Sequence, residues 1–165
     1  MNEVIIASII ATLAITLGCL SAFSGPKTVG VTTYVVVDGD SVIVWTPQQY
    51  TTRLKGIDAP EMRQPYGPIA KIILEELLDE KELRVEFQGK DAYDRYLAIL
   101  YAGDTNINVE LVRRGAAFIY RKYTKYLPES LQKKFNKAEK EARNKGRGVW
   151  AAESLQERPW KHRRK

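Results

Sequence analysis

Three runs of β-branched and aromatic residues follow one another early in the chain: TTYVVV at 32–37, VIVW at 42–45 and YTTRLKGI at 50–57. Side chains of this kind fit a pleated, half-buried surface and lose rotamer freedom in a helix. Asp38-Gly39-Asp40-Ser41, a turn sequence, separates the first two runs, and Pro47 punctuates the gap before the third. The segment is therefore committed to a meander that begins with a β-hairpin.

Helical and strand patterns alternate after the meander. Tyr66-Gly67-Pro68 opens a helix with proline at or near its first position, and Ile69, Ile72, Ile73 and Leu77 fall on one side of it. LRVEF at 83–87 alternates apolar and polar residues, and YLAILY at 96–101 reads as a fifth, more fully buried strand. A short helix follows, with Asn108 as its N-cap, Glu110 in its first turn and Gly115 past its end. The last helix runs from near Pro128 to Gly146, with Leu131, Phe135, Ala138 and Ala142 as its apolar stripe, and Trp150 folds back into the core. Three strands, a helix, two strands and two helices predict an α+β domain built on a five-stranded OB-type β-barrel with three helices.

Residues 4–23, VIIASIIATLAITLGCLSAF, differ in kind: they carry no charge and are long enough to cross a bilayer as a hydrophobic helix. Two readings stand, an uncleaved single-pass membrane anchor or a cleaved signal peptide. Ala22-Phe23-Ser24 offers small residues for cleavage, whereas Met1-Asn2-Glu3 lacks the positive charge of a signal. The organisation is then an anchor or signal at 1–26, a folded domain at 27–155 and a basic tail at 156–165.

The chain has one cysteine, Cys19, and one histidine, His162, among its 165 residues. That excludes an internal disulfide, a zinc site built on Cys and His, and catalytic triads that need histidine. Chemistry is left to carboxylates, Arg, Lys, Tyr or a hard cation. The net charge of +6 suits a polyanionic partner, nucleic acid or anionic lipid, although lysines on a helix face and a basic tail are also what a solvated surface looks like. Arg158, Lys161, Arg163, Arg164 and Lys165 supply that tail. Gly146-Arg147-Gly148-Val149-Trp150-Ala151 fits a dinucleotide fingerprint only on paper, since it follows a helix and not a strand.

The acids stand out next. Asp40 closes the first turn, Asp58 ends the third strand and Glu61 follows three residues on. Carboxylates without histidine or thiol suit an oxygen-seeking cation. Arg53 lies five residues before Asp58, which puts the two on opposite pleats unless a bulge intervenes.

These segments resemble the staphylococcal (micrococcal) nuclease family, the thermonuclease-like domains. The likeness is carried by Asp38-Gly39-Asp40-Ser41-Val42, by Arg53-Leu54 with Ile57-Asp58-Ala59-Pro60-Glu61, and by Tyr66-Gly67-Pro68 with Ala70. It continues through Asp91-Ala92-Tyr93-Asp94-Arg95, Asn108 with Glu110 to Ala117, and Gly148-Val149-Trp150, covering roughly residues 30–152 in order. The resemblance implies Ca²⁺-dependent hydrolysis of DNA and RNA that leaves 3′-phosphate ends. By position it implies that Asp40, Asp58 and the Ala59 carbonyl hold calcium, that Glu61 activates water, and that Arg53 and Arg95 stabilise the phosphate. Tyr93 is a substrate-side candidate, and Tyr120 or Tyr123 could stack on a base or simply pack. Three departures are visible: alanine at 59 where threonine is common, Asp94 where many relatives have glycine before the arginine, and a short loop from Glu61 to Tyr66. The alternative is an OB-fold nucleic-acid-binding module that has lost catalysis. A monomer is expected, with the domain outside the cytoplasm, membrane-anchored or secreted.

Overall fold

The computed structural model describes residues 28–151 and 157–164. Its strands are β1 (Thr28–Val31), β2 (Thr33–Asp38), β3 (Ser41–Trp45), β4 (Gln49–Leu54), β5 (Ile57–Asp58), β6 (Leu83–Lys90), β7 (Tyr96–Ala102), β8 (Thr105–Asn106) and β9 (Phe118–Ile119). Its helices are α1 (Gly67–Leu78), α2 (Ile107–Arg113), α3 (Arg121–Thr124), α4 (Glu129–Asn144) and α5 (Pro159–His162), with a 3₁₀ turn at Gly148–Trp150.

The α+β class expected from the sequence holds, but the five-stranded OB-type barrel with three helices is not seen as such: among the described residues no closed barrel forms, and strands and helices outnumber the expected ones. Hydrogen bonding runs along an open path, β1-β6-β7-β4-β3-β2, with β8 added to β7 and a separate β5–β9 pair. The two ends of that path, β1 and β2, are consecutive in the chain and separated only by Thr32. They are joined by covalent continuity, not by a ladder between them. All pairings on the path are antiparallel except β4 with β7, which is parallel. The predicted anchor at residues 4–23 lies outside the described residues, and among those described no helix is long and apolar enough to cross a membrane.

Alternation does the work of packing. Val42 and Val44 of β3 are fully buried while Ile43 between them is not, and Leu54, Val85, Ala98 and Leu100 complete the apolar face. α1 packs against β2, and α2 packs against both β7 and α4. Phe135, Ala138 and Ala142 are the buried stripe of α4, as the periodicity predicts, with Leu131 partly buried beside it. Burying side chains such as Phe135, Leu74 and Leu111 stabilises the fold by roughly 1.5–3 kcal/mol each.

Three local expectations are corrected. On α1 the core face is Ala70, Leu74, Leu77 and Leu78, whereas Ile69 and Ile72 are exposed. Lys71, Glu75 and Glu76 mark the outer side, and Ile69 and Ile72 border it; the helix closes on the Gly39 turn through the small Ala70, where a Cβ added to Gly39 would lie 2.8 Å from the Ala70 Cβ. The cap of α2 is Asn106, whose side chain accepts from the Val109 N–H at 3.0 Å. Asn108 is instead fully buried. It accepts from the Leu100 N–H and donates to the Lys55 and Ala98 carbonyls, each at 3.0 Å. Finally, the third strand does not run through to Ile57. It stops at Leu54, turns at Lys55-Gly56 with a Gly56 φ of 85°, and resumes as β5.

Candidate active site

The turn at Gly56 decides the site. In an unbroken strand Arg53 and Asp58 would face opposite ways. The left-handed Gly56, tied down by the Tyr120 N–H on its carbonyl at 2.9 Å, re-aims β5 so that the two side chains meet. The Asn108 bond to the Lys55 carbonyl holds the same turn from beneath.

Asp40 comes from the hairpin between β2 and β3. Its backbone N–H binds the Asp38 Oδ1 at 3.0 Å, and its carbonyl accepts from the Leu54 N–H at 2.8 Å. Its side chain, 2% exposed, accepts from the Ala59 N–H at 2.6 Å and from the Ser41 hydroxyl at 3.2 Å. Arg53 bridges the two acids: one Nη lies 2.8 Å from Asp40 Oδ1 and the other pairs with Asp58 Oδ1. Asp58 is completely buried. Burial pushes the Asp40 carboxyl up to about 7, against the pull of Arg53 and with the nearby Asp38 and Asp58 charges adding to the rise. The Arg53 guanidinium moves the other way: burial works against its charge, but Asp40 and Asp58 outweigh it and hold the value raised. Arg53 is therefore shared between the two acids, and its pull on Asp40 does not offset burial.

Glu61 sits at the rim. Its N–H donates to Gln64 Oε1 at 2.8 Å and its carbonyl accepts from the Gln64 N–H at 2.8 Å, so the short loop after it is a tight turn. Gly67 is required there, because a Cβ at that position would lie 2.0 Å from the Glu61 carbonyl oxygen.

Arg95 approaches from the β6–β7 connection. Asp94, the acid that stands before it where many relatives have glycine, pairs with Lys90 at 2.7 Å. The partner of Arg95 is Asp91, which takes the guanidinium at 2.7 and 2.9 Å and the Tyr93 and Arg95 N–H groups at 2.9 and 3.0 Å. Burial raises the Asp91 carboxyl, but those four bonds prevail and hold it below the usual range. Tyr93 is 82% exposed, with the Arg95 guanidinium 5.5 Å from its ring centre.

A groove of about 790 Å³ gathers these groups, lined by Arg53, Glu61, Tyr93, Arg95, Tyr120 and Tyr123 among others. All six side chains singled out from the sequence as catalytic or substrate-side thus face one space, with Asp40, Asp58 and Ala59 beneath it. Oxygen donors able to hold a hard cation are the Asp40 and Asp58 carboxylates and the Ala59 carbonyl. Among the described residues no three His, Cys, Asp or Glu side chains gather as a metal cluster. The site offers an acid pair, and its third carboxylate stands apart at the rim.

Sequence reasoning missed two participants. Asp91 lies in the Asp91-to-Arg95 segment that carries the family resemblance, but its bond to Arg95 comes from the turn between β6 and β7, where helix spacing gives no guide. Arg163 comes from the tail expected to be solvated, yet its guanidinium forks onto Asp58 at 2.9 and 3.1 Å and pairs with Glu61.

The motif order, the arginine between two buried acids and the groove above them converge on one relationship, and the family model described as "Staphylococcal nuclease homologue" matches residues 51–152. The chain belongs to the staphylococcal nuclease family. It is 38% identical over 118 residues to an uncharacterized endonuclease of Haemophilus influenzae, covering 70% of this chain and 63% of that protein. A micrococcal nuclease of Shigella flexneri is 38% identical over 139 residues, 78% of this chain and 77% of its own. A probable staphylococcal-like nuclease of Oryza sativa subsp. japonica is 33% identical over 117 residues, which span only 30% of that protein. The chain therefore covers a minority of the rice relative and somewhat under two thirds of the Haemophilus one.

Proposed function

We propose that this chain is a calcium-dependent endonuclease that hydrolyses the phosphodiester bonds of DNA and RNA and leaves 3′-phosphate ends. The observation that carries the reading is the convergence of Arg53, Glu61 and Arg95 on one groove above the buried Asp40–Asp58 pair.

The donor set fits calcium. Asp40 and Asp58 are oxygen donors held apart by a guanidinium, and the raised Asp40 carboxyl marks unmet counter-charge in a desolvated place. Asp40, Asp58 and the Ala59 carbonyl would hold the ion, which when bound supplies Lewis-acid polarisation of a phosphate oxygen. Alanine at 59 costs nothing there, since only a carbonyl is asked of it. With the carboxylates committed elsewhere, the N–H groups of Arg53 are free to turn to the phosphate. Arg95 reaches the same groove from just before β7, the strand paired with β4, already oriented by Asp91, so two planar forks grip the anion as charge grows on it. Glu61, partly exposed at the rim, takes the proton of the attacking water; general-base action of this kind contributes roughly 10²–10⁴-fold. Its turn is stiffened by Gln64, which limits how far the base can wander. Tyr93 and the Tyr120–Tyr123 pair offer faces for bases, a sequence-tolerant mode of binding that suits both DNA and RNA. We further place the domain outside the cytoplasm as a monomer, tethered by or released from residues 4–23, whose uncharged composition supports export.

The test is digestion of end-labelled single-stranded DNA and RNA by the full chain, with Ca²⁺ or with chelator, and analysis of the product ends. Cleavage only with the cation, leaving 3′-phosphates, is expected. Binding without cleavage would make the chain a silent module, and cleavage undiminished by chelator would remove calcium from the mechanism.

A further inference from the structure

The C-terminal segment makes a set of contacts that the proposed chemistry does not use. Arg163 places both Nη groups on Asp58, at 2.9 and 3.1 Å, and reaches Glu61 with one of them. It therefore claims a carboxylate assigned above to the cation and the carboxylate assigned to the attacking water. A guanidinium and a divalent cation cannot share the Asp58 oxygens without like-charge repulsion, and the Glu61 oxygen that Arg163 occupies is not open to an attacking water.

The segment is seated by more than that pair. Pro159 is buried, and Arg158 lies 4.0 Å from the Phe118 ring centre and 4.6 Å from that of Trp150. Trp160 stacks on Tyr120 with ring centres 5.3 Å apart and planes 10° from parallel. Gln64 donates to the Glu157 carbonyl at 2.7 Å while its own Oε1 accepts from the Glu61 N–H. The side chain that holds the Glu61 turn thus also holds the segment. Flat stacking on a half-buried tyrosine that lines the groove is the geometry in which a nucleic-acid base binds, so Trp160 takes a base's place as Arg163 takes a cation's.

We propose that residues 157–164 are an autoinhibitory strap, an intramolecular occupant of the cation position and of the Tyr120 stacking face, which must leave before the site can work. The inference rests on the nuclease reading above and adds its regulation: calcium and a polynucleotide together displace the strap, the first competing for Asp58 and the second for Tyr120 and the arginine charge. An apparent affinity is reduced by the fraction of molecules in the competent state, so removing the occupant tightens cation binding without adding a contact.

The experiment is calorimetric titration of Ca²⁺ into the full-length wild type, Arg163→Ala and Trp160→Ala, with DNA cleavage measured on the same samples. Arg163→Ala is expected to bind Ca²⁺ roughly tenfold or more tightly and Trp160→Ala to shift the same way by less, as a competent fraction raised by release of a clamp requires. Tryptophan emission should change on adding Ca²⁺ to the wild type, and by less in Trp160→Phe, where Trp150 beside Arg158 still reports release. Unchanged or weaker Ca²⁺ binding in Arg163→Ala, with the wild type still binding and cleaving, overturns the strap and leaves the nuclease standing. Loss of cleavage at unchanged cation affinity would make Arg163 a phosphate-binding residue and equally overturn the strap. Absence of both binding and cleavage in every form overturns this inference and the nuclease reading together.

Discussion

Replacing Arg53 by glutamine removes the cation that, among the described residues, touches both buried aspartates. Asp40 and Asp58 are 2% and 0% exposed, so neither can turn to water for relief. Asp40 would keep the Ala59 N–H and the Ser41 hydroxyl, and Asp58 would keep Arg163. Breaking a buried ion pair from one side costs about 3–5 kcal/mol, because a desolvated charge is left behind. The retained Arg163 places the loss near the lower end, about 3 kcal/mol. It also depends on pH. The folded-state value of Asp40 is raised from 3.8 to about 7, so the neutral acid is the form the fold favours. That contribution is full below the ordinary carboxylate range and is lost as pH rises through about 7. The loss of Arg53 is therefore felt more at pH 8, where Asp40 must be charged, than at pH 5. Urea unfolding of wild type and Arg53→Gln in chelator, followed by tryptophan fluorescence at both pH values, reads it directly. The expected result is a loss of about 3 kcal/mol at pH 8, a smaller one at pH 5, and partial recovery with Ca²⁺, which binds only the folded form. A loss below about 1 kcal/mol at pH 8, the range of ordinary surface changes, or a larger loss at pH 5, would refute the charge accounting.

Further expectations concern the scaffold around the acids. Asn108→Ala strands the Leu100 N–H and the Lys55 carbonyl in the interior and should cost about 2–5 kcal/mol by the same unfolding assay; Asn108→Asp should be no better, since it cannot donate to Lys55. Asp91→Ala frees Arg95 near the surface, so kcat/KM should fall by roughly tenfold or more while stability changes by less than about 1 kcal/mol. Gly67→Ala forces the Glu61 carbonyl to retreat and should lower kcat far more than it weakens DNA binding, measured by anisotropy in chelator.

The meander, the hairpin carrying Asp40 and the apolar stripe of α4 were legible because period, turn chemistry and β-branching agree there. The face of α1 was not: Ile69 and Ile72 stand exposed beside Lys71, Glu75 and Glu76, and the small Ala70 is what packs against Gly39. Local rules assign Asn108 to a cap because polar residues before a helix usually serve that role; only the packed structure shows it buried beneath the Lys55 turn. The same turn explains why spacing alone put Arg53 and Asp58 on opposite pleats. A glycine inside the run allows a bulge but does not fix where the strand stops, and the break at Gly56 is what joins them. The arginine that reaches Asp58 from 105 residues away is a tertiary fact, invisible to any reading of composition, which sees only a basic tail.

The assignment of Glu61 as the base that acts over a cation held by other residues is tested most directly by one paired measurement. Single-turnover cleavage of a short single-stranded DNA and calorimetric Ca²⁺ affinity are compared for the wild-type full chain and Glu61→Gln. The account predicts cation affinity within a few-fold of wild type and cleavage slower by roughly 10²-fold or more. Equal cleavage rates in the two proteins would contradict it.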